Sequence, residues 1–145
     1  MITVEAGSEA VPVHSSHIRK VEDEIGVRFP HDYLGFIATT NGGVPLSPYF
    51  DLGDNTKVVE RFLSFVHDYN HDPLGCYDLE VVWSQVEDRL PVGVVPIAAL
   101  FAGDLLCIDT SAGDSRIVFW VHDLEPETVI PVADSFQAFS GMLHA

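Results

Sequence analysis

The N-terminal part of the chain has apolar residues at helical spacing. The pattern begins at Ser15 and predicts a helix that ends at Gly26, because glycine readily adopts the left-handed conformation that terminates many helices. We expect Ser15 or Ser16 to cap this helix. The apolar positions, which recur every three or four residues, are Ile18, Val21 and Ile25.

Three later segments carry the same helical signature. One follows Pro30, which suits a first helical turn, and ends at the Asn-Gly-Gly sequence of residues 41–43. The second covers residues 78–89, with Asp78 as the predicted N-cap. The third begins at Asp134, which a glutamine follows three residues later as in a capping box. The chain is therefore expected to form about four helices.

The C-terminal third has short β-branched and apolar runs separated by turn residues, a pattern that predicts strands. Because the turns are short, neighbouring strands are expected to be antiparallel. Residues 45–57 read as a loop that contains a short strand at 49–52, and residues 58–66 fit either a strand or a helix. The four predicted C-terminal strands are residues 92–98, 105–109, 116–121 and 128–132. The predicted fold is α+β, a single domain over residues 1–145 with a central antiparallel sheet.

The charge of the chain narrows the classes of ligand. Seven Lys and Arg against 22 Asp and Glu give a formal net charge of −15. Nucleic acids and anionic membranes are bound mainly through Lys and Arg, so neither is an expected partner. An acidic domain attracts basic proteins, although excess acid can also serve solubility alone.

The sequence carries no feature of secretion or membrane insertion. The N-terminus lacks a basic segment followed by an apolar run, and no stretch approaches 18 apolar residues, so a cytoplasmic protein is expected. The two cysteines, Cys76 and Cys107, stand far apart and form no Cys-x-x-Cys motif. No cofactor is predicted.

The most enzyme-like segment is the sequence His-Asp-Tyr-Asn-His-Asp of residues 67–72. On a helix, His67 and His71 would share one face and, with Asp72, could bind a metal ion in a hydrolase. The neighbouring proline and glycine indicate a loop, however, so a solvated polar loop is the competing interpretation.

Other catalytic patterns are absent from the sequence. His122 and Asp123 follow a predicted strand, where active-site residues often stand, but such a pair is common at strand ends. No nucleophile elbow and no phosphate-binding glycine motif occurs. Nucleophilic, phosphoryl-transfer and redox chemistry therefore have no specific signal in the sequence.

Acidic residues are concentrated in two stretches without Lys or Arg. In residues 62–88 they are Asp68, Asp72, Asp78, Glu80, Glu87 and Asp88. In residues 117–145 they are Asp123, Glu125, Glu127 and Asp134. The two stretches form either one negative surface or part of a generally acidic exterior.

Seven short motifs occur in an order and spacing that resemble the SUKH superfamily, named in part for fungal Smi/Knr-type cell-wall regulators. The resemblance spans about residues 15–143. The motifs are Ile18-x-x-x-Glu22-x-x-x-Gly26, Phe29-Pro30-x-x-Tyr33-x-x-Phe36, Asn41-Gly42-Gly43-x-Pro45, Val95-Pro96-Ile97-Ala98, Gly103-Asp104-x-x-Cys107-Ile108-Asp109, Val118-x-Trp120-x-His122-Asp123 and Ala133-x-Ser135-Phe136-x-x-Phe139.

The resemblance implies a binding protein rather than an enzyme, because similar members are mostly bacterial immunity proteins that block a toxin domain, often a nuclease. No catalytic residues come with the family. The alternatives are a regulatory scaffold like the fungal relatives and the metal-dependent hydrolase described above. Glu22, among apolar helix positions, is expected to be partly buried and to need a hydrogen-bond donor. Residues 46–77 match no family motif, so partner contacts are predicted in or beside them. The predicted partner-binding residues are Asp51, Asp54, Asp68, Asp72, Asp78 and Glu80.

Overall fold

The computed structural model describes residues 2–111, 113, 115–122 and 129–145, and within them the segments of helical periodicity form α-helices. Gly26 ends the first helix with a φ of 87°, and its N–H donates to the Glu22 carbonyl, as predicted. The helices are α1 (Ser15–Ile25), α2 (His31–Thr39), α3 (Leu79–Val86) and α4 (Phe136–Ser140).

The capping residues of two helices differ from the prediction. The imidazole of His14 accepts the Ser16 N–H and caps α1, in place of either serine. Ser135 caps α4 by accepting the Ala138 N–H at 3.0 Å, in place of Asp134. In each case the capping side chain belongs to the residue directly before the first helical residue, where it can reach a free N–H.

Six strands form one antiparallel sheet in which each strand pairs with its neighbours in sequence, so the predicted α+β class is confirmed. Every strand-to-strand connection reverses the chain direction, which makes the sheet a meander. The strands are β1 (Tyr49–Leu52), β2 (Asn55–Phe62), β3 (Val94–Leu100), β4 (Leu105–Asp109), β5 (Arg116–Trp120) and β6 (Val129–Ala133).

Strand β2 differs more from its sequence-based prediction than the other strands do. Residues 55–57 were expected in a loop but belong to β2, and the helical alternative for residues 58–66 is wrong. The polar residues 55–57 are extended because they pair with β1 across a tight turn at Gly53 and Asp54. Strand β3 starts and ends two residues later than predicted. Thr128, at the predicted start of β6, and the turn residues Ala112 and Asp114 lie outside the described residues.

The core lies on both faces of the sheet. In β4, Leu106 and Ile108 join the large cluster that packs under α1, α2 and α4, while Leu105 and Cys107 face a smaller cluster that includes Val82 and Val86 of α3. Alternation along a strand sends successive side chains to opposite faces, so both faces of β4 are covered. The helix α3 contacts both clusters, because Leu79 and Trp83 pack in the large cluster while Val86 packs in the smaller one.

Two buried polar side chains fix the connections around this core. The Glu22 carboxylate, 4% exposed, accepts the Phe29 N–H at 2.7 Å, which confirms the expected burial and supplies the expected donor. The Asn41 amide donates to the carbonyls of Val11 and Phe65 and accepts the Phe65 N–H. These bonds attach the turn after α2 to the segment that follows β2.

Candidate functional site

The segment between β2 and α3 contains the richest cluster of polar side chains. We call residues 67–74 the 67–74 loop. Asp78 closes it, because one carboxylate oxygen accepts the Val66 N–H at 2.8 Å and the other accepts the Val81 N–H at 3.1 Å. Burial raises the pKa of Asp78 against these hydrogen bonds, and the residue is only 3% exposed. Its carboxylate therefore holds the loop to α3 and contributes nothing to the exposed surface.

Within the loop, the three residues considered as metal ligands are directed to different partners. His71 Nδ1 lies 3.0 Å from an Asp68 oxygen. Asp72 accepts the Leu74 N–H at 2.9 Å. His67 packs against His17 of α1 instead. Across the described part of the chain, no three His, Cys, Asp or Glu side chains are placed to share a metal ion.

The contact between His17 and His67 joins α1 to the loop. Their ring centroids are 4.1 Å apart, and His17 Nε2 is buried without a hydrogen-bond partner among the described residues. Burial lowers the pKa of His17, and the neighbouring His67 lowers it further. Because a charged His17 imidazole would be poorly hydrated, burial at this contact favours the neutral form of His17.

A cavity of about 590 Å³ opens between α1, the loop and α3. On its wall, the carboxyl of Glu80 lies beside the carboxyl of Glu24. Burial, and then the neighbouring carboxyl of Glu24, raise the pKa of Glu80 to about 7. The half-exposed phenol of Tyr69 and the exposed thiol of Cys76 complete the rim. Two carboxyl groups in contact attract either a proton or a cation.

Asp51 and Asp54 lie at the β1–β2 hairpin. Asp51 accepts the Thr56 hydroxyl at 2.9 Å and stands 3.4 Å from His144 Nε2. These two hydrogen bonds lower the pKa of Asp51, so the carboxylate stays charged at neutral pH. Asp54 is exposed in the turn itself.

The predicted partner-binding residues therefore divide into two groups. Glu80 lines the same cavity as Tyr69 of the 67–74 loop, which also contains Asp68 and Asp72. Strand β2 separates this group from the hairpin, and its eight residues correspond to roughly 26 Å at about 3.3 Å per residue. Among the other acids of interest, Asp123, Glu125 and Glu127 lie outside the described residues.

Glu24 is the residue that the sequence pattern did not single out. It occupies a polar position of α1, and no motif in the neighbouring sequence marks it as a functional residue. Only the packing of α1 beside α3 brings it to Glu80. Trp83 of α3 is half-buried against the core and lines a second cavity beside Ile25 of α1.

A six-stranded antiparallel meander with helices on both faces and acidic, open cavities has the form of a binding domain. Comparison with family models gives a match to SUKH_6, described as SMI1-KNR4 cell-wall, over residues 15–139. The chain belongs to this family.

A relative with a similar sequence is the SPbeta prophage-derived uncharacterized protein YokK of Bacillus subtilis (strain 168). It is 26% identical over 158 aligned positions, which cover 94% of this chain and 78% of the relative. The SUKH family includes toxin-immunity proteins; its members generally bind partner proteins and are not typically enzymes. In the residues that the structure describes, no helix is long and apolar enough to cross a membrane.

Proposed function

We propose that this protein is an immunity protein that binds a cognate bacterial toxin domain and blocks it stoichiometrically. The observation that carries the proposal is the net charge of −15, with carboxylates exposed on the 67–74 loop and on the β1–β2 hairpin of a SUKH domain. A basic toxin, such as a nuclease that holds phosphate with Lys and Arg, presents the complementary surface. Inhibition is steric and electrostatic and needs no turnover.

A cytoplasmic location follows from this proposal if the toxin acts on intracellular nucleic acid. The partner-contact residues are Asp68, Asp72 and Glu80 on one side and Asp51 and Asp54 on the other. Asp78 contributes indirectly. Its carboxylate is buried and holds the 67–74 loop in position by accepting the Val66 and Val81 N–H groups.

The test is a calorimetric titration of this protein against the C-terminal domain of the protein encoded immediately upstream, at two salt concentrations. We expect one-to-one binding that weakens as salt rises, because exposed charge pairs are screened. Absence of binding by folded protein contradicts the proposal for that partner.

The second candidate function is a regulatory scaffold of the Smi/Knr type, which the cell-wall description of the matched family favours. In that case the binding partner is a cellular protein other than a toxin. Protection of cells that express the upstream toxin domain separates the two functions, since only an immunity protein restores growth.

A further inference from the structure

Two cavities lie beside α1 and α3, and we call them together the α1–α3 groove. The cavity of about 590 Å³ forms one end, beside Glu24 and Glu80. A second cavity of about 250 Å³ forms the other end, beside Ile25, Trp83 and Val92. The two cavities are neighbours along α3, because Glu80 of the first and Trp83 of the second are three residues apart on that helix.

The second end of the groove exposes apolar surface. Val92 is 94% exposed, next to the half-buried indole of Trp83. The floor also includes Ile25 and Leu90. Large aromatic side chains beside exposed aliphatic groups are typical of the centre of protein interfaces.

The walls of the groove are acidic along its whole length. Glu24 and Glu80 stand at one end and Glu87 at the other, and no Lys or Arg is among the described residues that line either cavity. Lys20 does not line either cavity, although its ammonium is 4.0 Å from Glu24. An apolar floor between acidic walls is complementary to a basic segment that also carries an apolar side chain.

We propose that the α1–α3 groove is the docking surface for a basic, amphipathic segment of the partner protein. This proposal rests on the proposed function and adds to it the surface and the chemistry of the segment recognised. An apolar side chain of the segment packs on Trp83 and Val92. A Lys or Arg of the segment is held between Glu24 and Glu80, where its charge relieves the repulsion between the two carboxylates.

A double variant tests the groove without touching the core. Glu87→Lys with Val92→Asp reverses one wall charge and removes the exposed apolar contact. The matched control is Glu60→Lys with Val11→Asp, which makes the same two changes at exposed positions outside the groove. Circular dichroism verifies that both proteins are folded.

Two probes are titrated into each protein: the upstream-encoded toxin domain and a synthetic amphipathic peptide of lysine and leucine. We expect the groove variant to bind both at least tenfold more weakly than the wild type, and the control variant to bind within threefold. With labelled protein, amide shifts caused by the peptide should fall on residues 24–27 and 80–92.

The two probes distinguish failure of the groove proposal from failure of the proposed function. If the toxin domain binds the wild type and the groove variant equally, the groove is overturned while the proposed function stands. If the toxin domain does not bind at all, the proposed function fails for that partner and the peptide decides the groove. Peptide shifts within the groove support it, and shifts elsewhere or none overturn it.

Discussion

The carboxyl of Glu80 on α3 lies beside the carboxyl of Glu24 on α1, where both line the larger cavity of the α1–α3 groove. When both groups are charged they repel each other, which favours a proton on one of them. The folded protein therefore holds that proton more tightly than the unfolded chain does. Stability and proton binding at this position are linked.

We predict that Glu80→Gln increasingly stabilises the protein, relative to the wild type, as pH rises. The folded pKa of Glu80 is about 7 and its ordinary value is 4.5, so its contribution to wild-type stability is fully present below pH 4.5 and is lost as pH rises towards 7. Glutamine keeps a neutral donor at all pH values. Because solvent screens this partly exposed pair, the expected gain between pH 5 and 8 is about 1 kcal/mol.

Thermal unfolding of the wild type and Glu80→Gln across this pH range measures the effect. Glu87→Gln, at an exposed position at the other end of the groove, is the control. A difference in melting temperature between the wild type and Glu80→Gln that stays constant from pH 5 to 8 would show that the carboxyl pair does not share a proton.

The Glu24–Glu80 contact also shows where prediction from the sequence stops. The helix α1 follows from its apolar spacing, and the strands β4 and β5 follow from short β-branched and apolar runs bounded by turn residues. The Glu24–Glu80 contact instead depends on how two helices that are far apart in the chain pack against one sheet. Likewise, residues 55–57 have polar side chains and become a strand only because the β1–β2 hairpin pairs them. No local pattern contains either fact.

Removal of the Glu22 carboxylate should destabilise the fold. In Glu22→Ala the buried Phe29 N–H loses its acceptor, which costs about 1–3 kcal/mol. Glu22→Gln keeps an acceptor oxygen and should cost less. Asp23→Ala is the control, because Asp23 forms an exposed ion pair with Arg28 and contributes at most about 1 kcal/mol. Urea unfolding gives the three values, and equal losses for Glu22→Ala and Asp23→Ala contradict the structural role of Glu22.

Gly42→Val should prevent folding. Gly42 has a φ of 75°, and a Cβ atom there would lie 2.6 Å from the Leu63 carbonyl oxygen and 2.7 Å from that of Phe62. Backbone atoms cannot yield, so we expect a loss of at least about 4 kcal/mol. Gly7 is the control that distinguishes backbone strain from steric collision. It has a φ of 80° but open space around it, so Gly7→Val should cost only about 1–2 kcal/mol. A folded Gly42→Val protein with an unchanged melting temperature would refute the assignment.

The two cysteines should differ sharply in reactivity. Cys107 is buried in β4, and burial raises the pKa of its thiol, which disfavours the reactive thiolate. Cys76 is exposed on the rim of the larger cavity. A thiol reagent at pH 8 should label Cys76 rapidly in the native protein and Cys107 only in denaturant. Rapid labelling of both groups in Cys76→Ser and Cys107→Ser single variants would contradict the buried position of Cys107.

Charge reversal at Asp68 and Asp72 tests which end of the sheet meets a basic partner. Asp68→Lys with Asp72→Lys should slow association with the upstream-encoded toxin domain and flatten its salt dependence, because long-range attraction sets the encounter rate. Asp72→Asn alone keeps the acceptor for the Leu74 N–H, so it tests the effect of the charge without changing the loop geometry.

Asp51→Lys with Asp54→Lys applies the same change at the hairpin, roughly 26 Å away along β2. Because the two pairs are separated by more than the screening length of about 8 Å at physiological salt, only the pair that faces the toxin should reduce the rate strongly. Wild-type kinetics in the loop variant together with slow association in the hairpin variant would move the binding surface to the hairpin end.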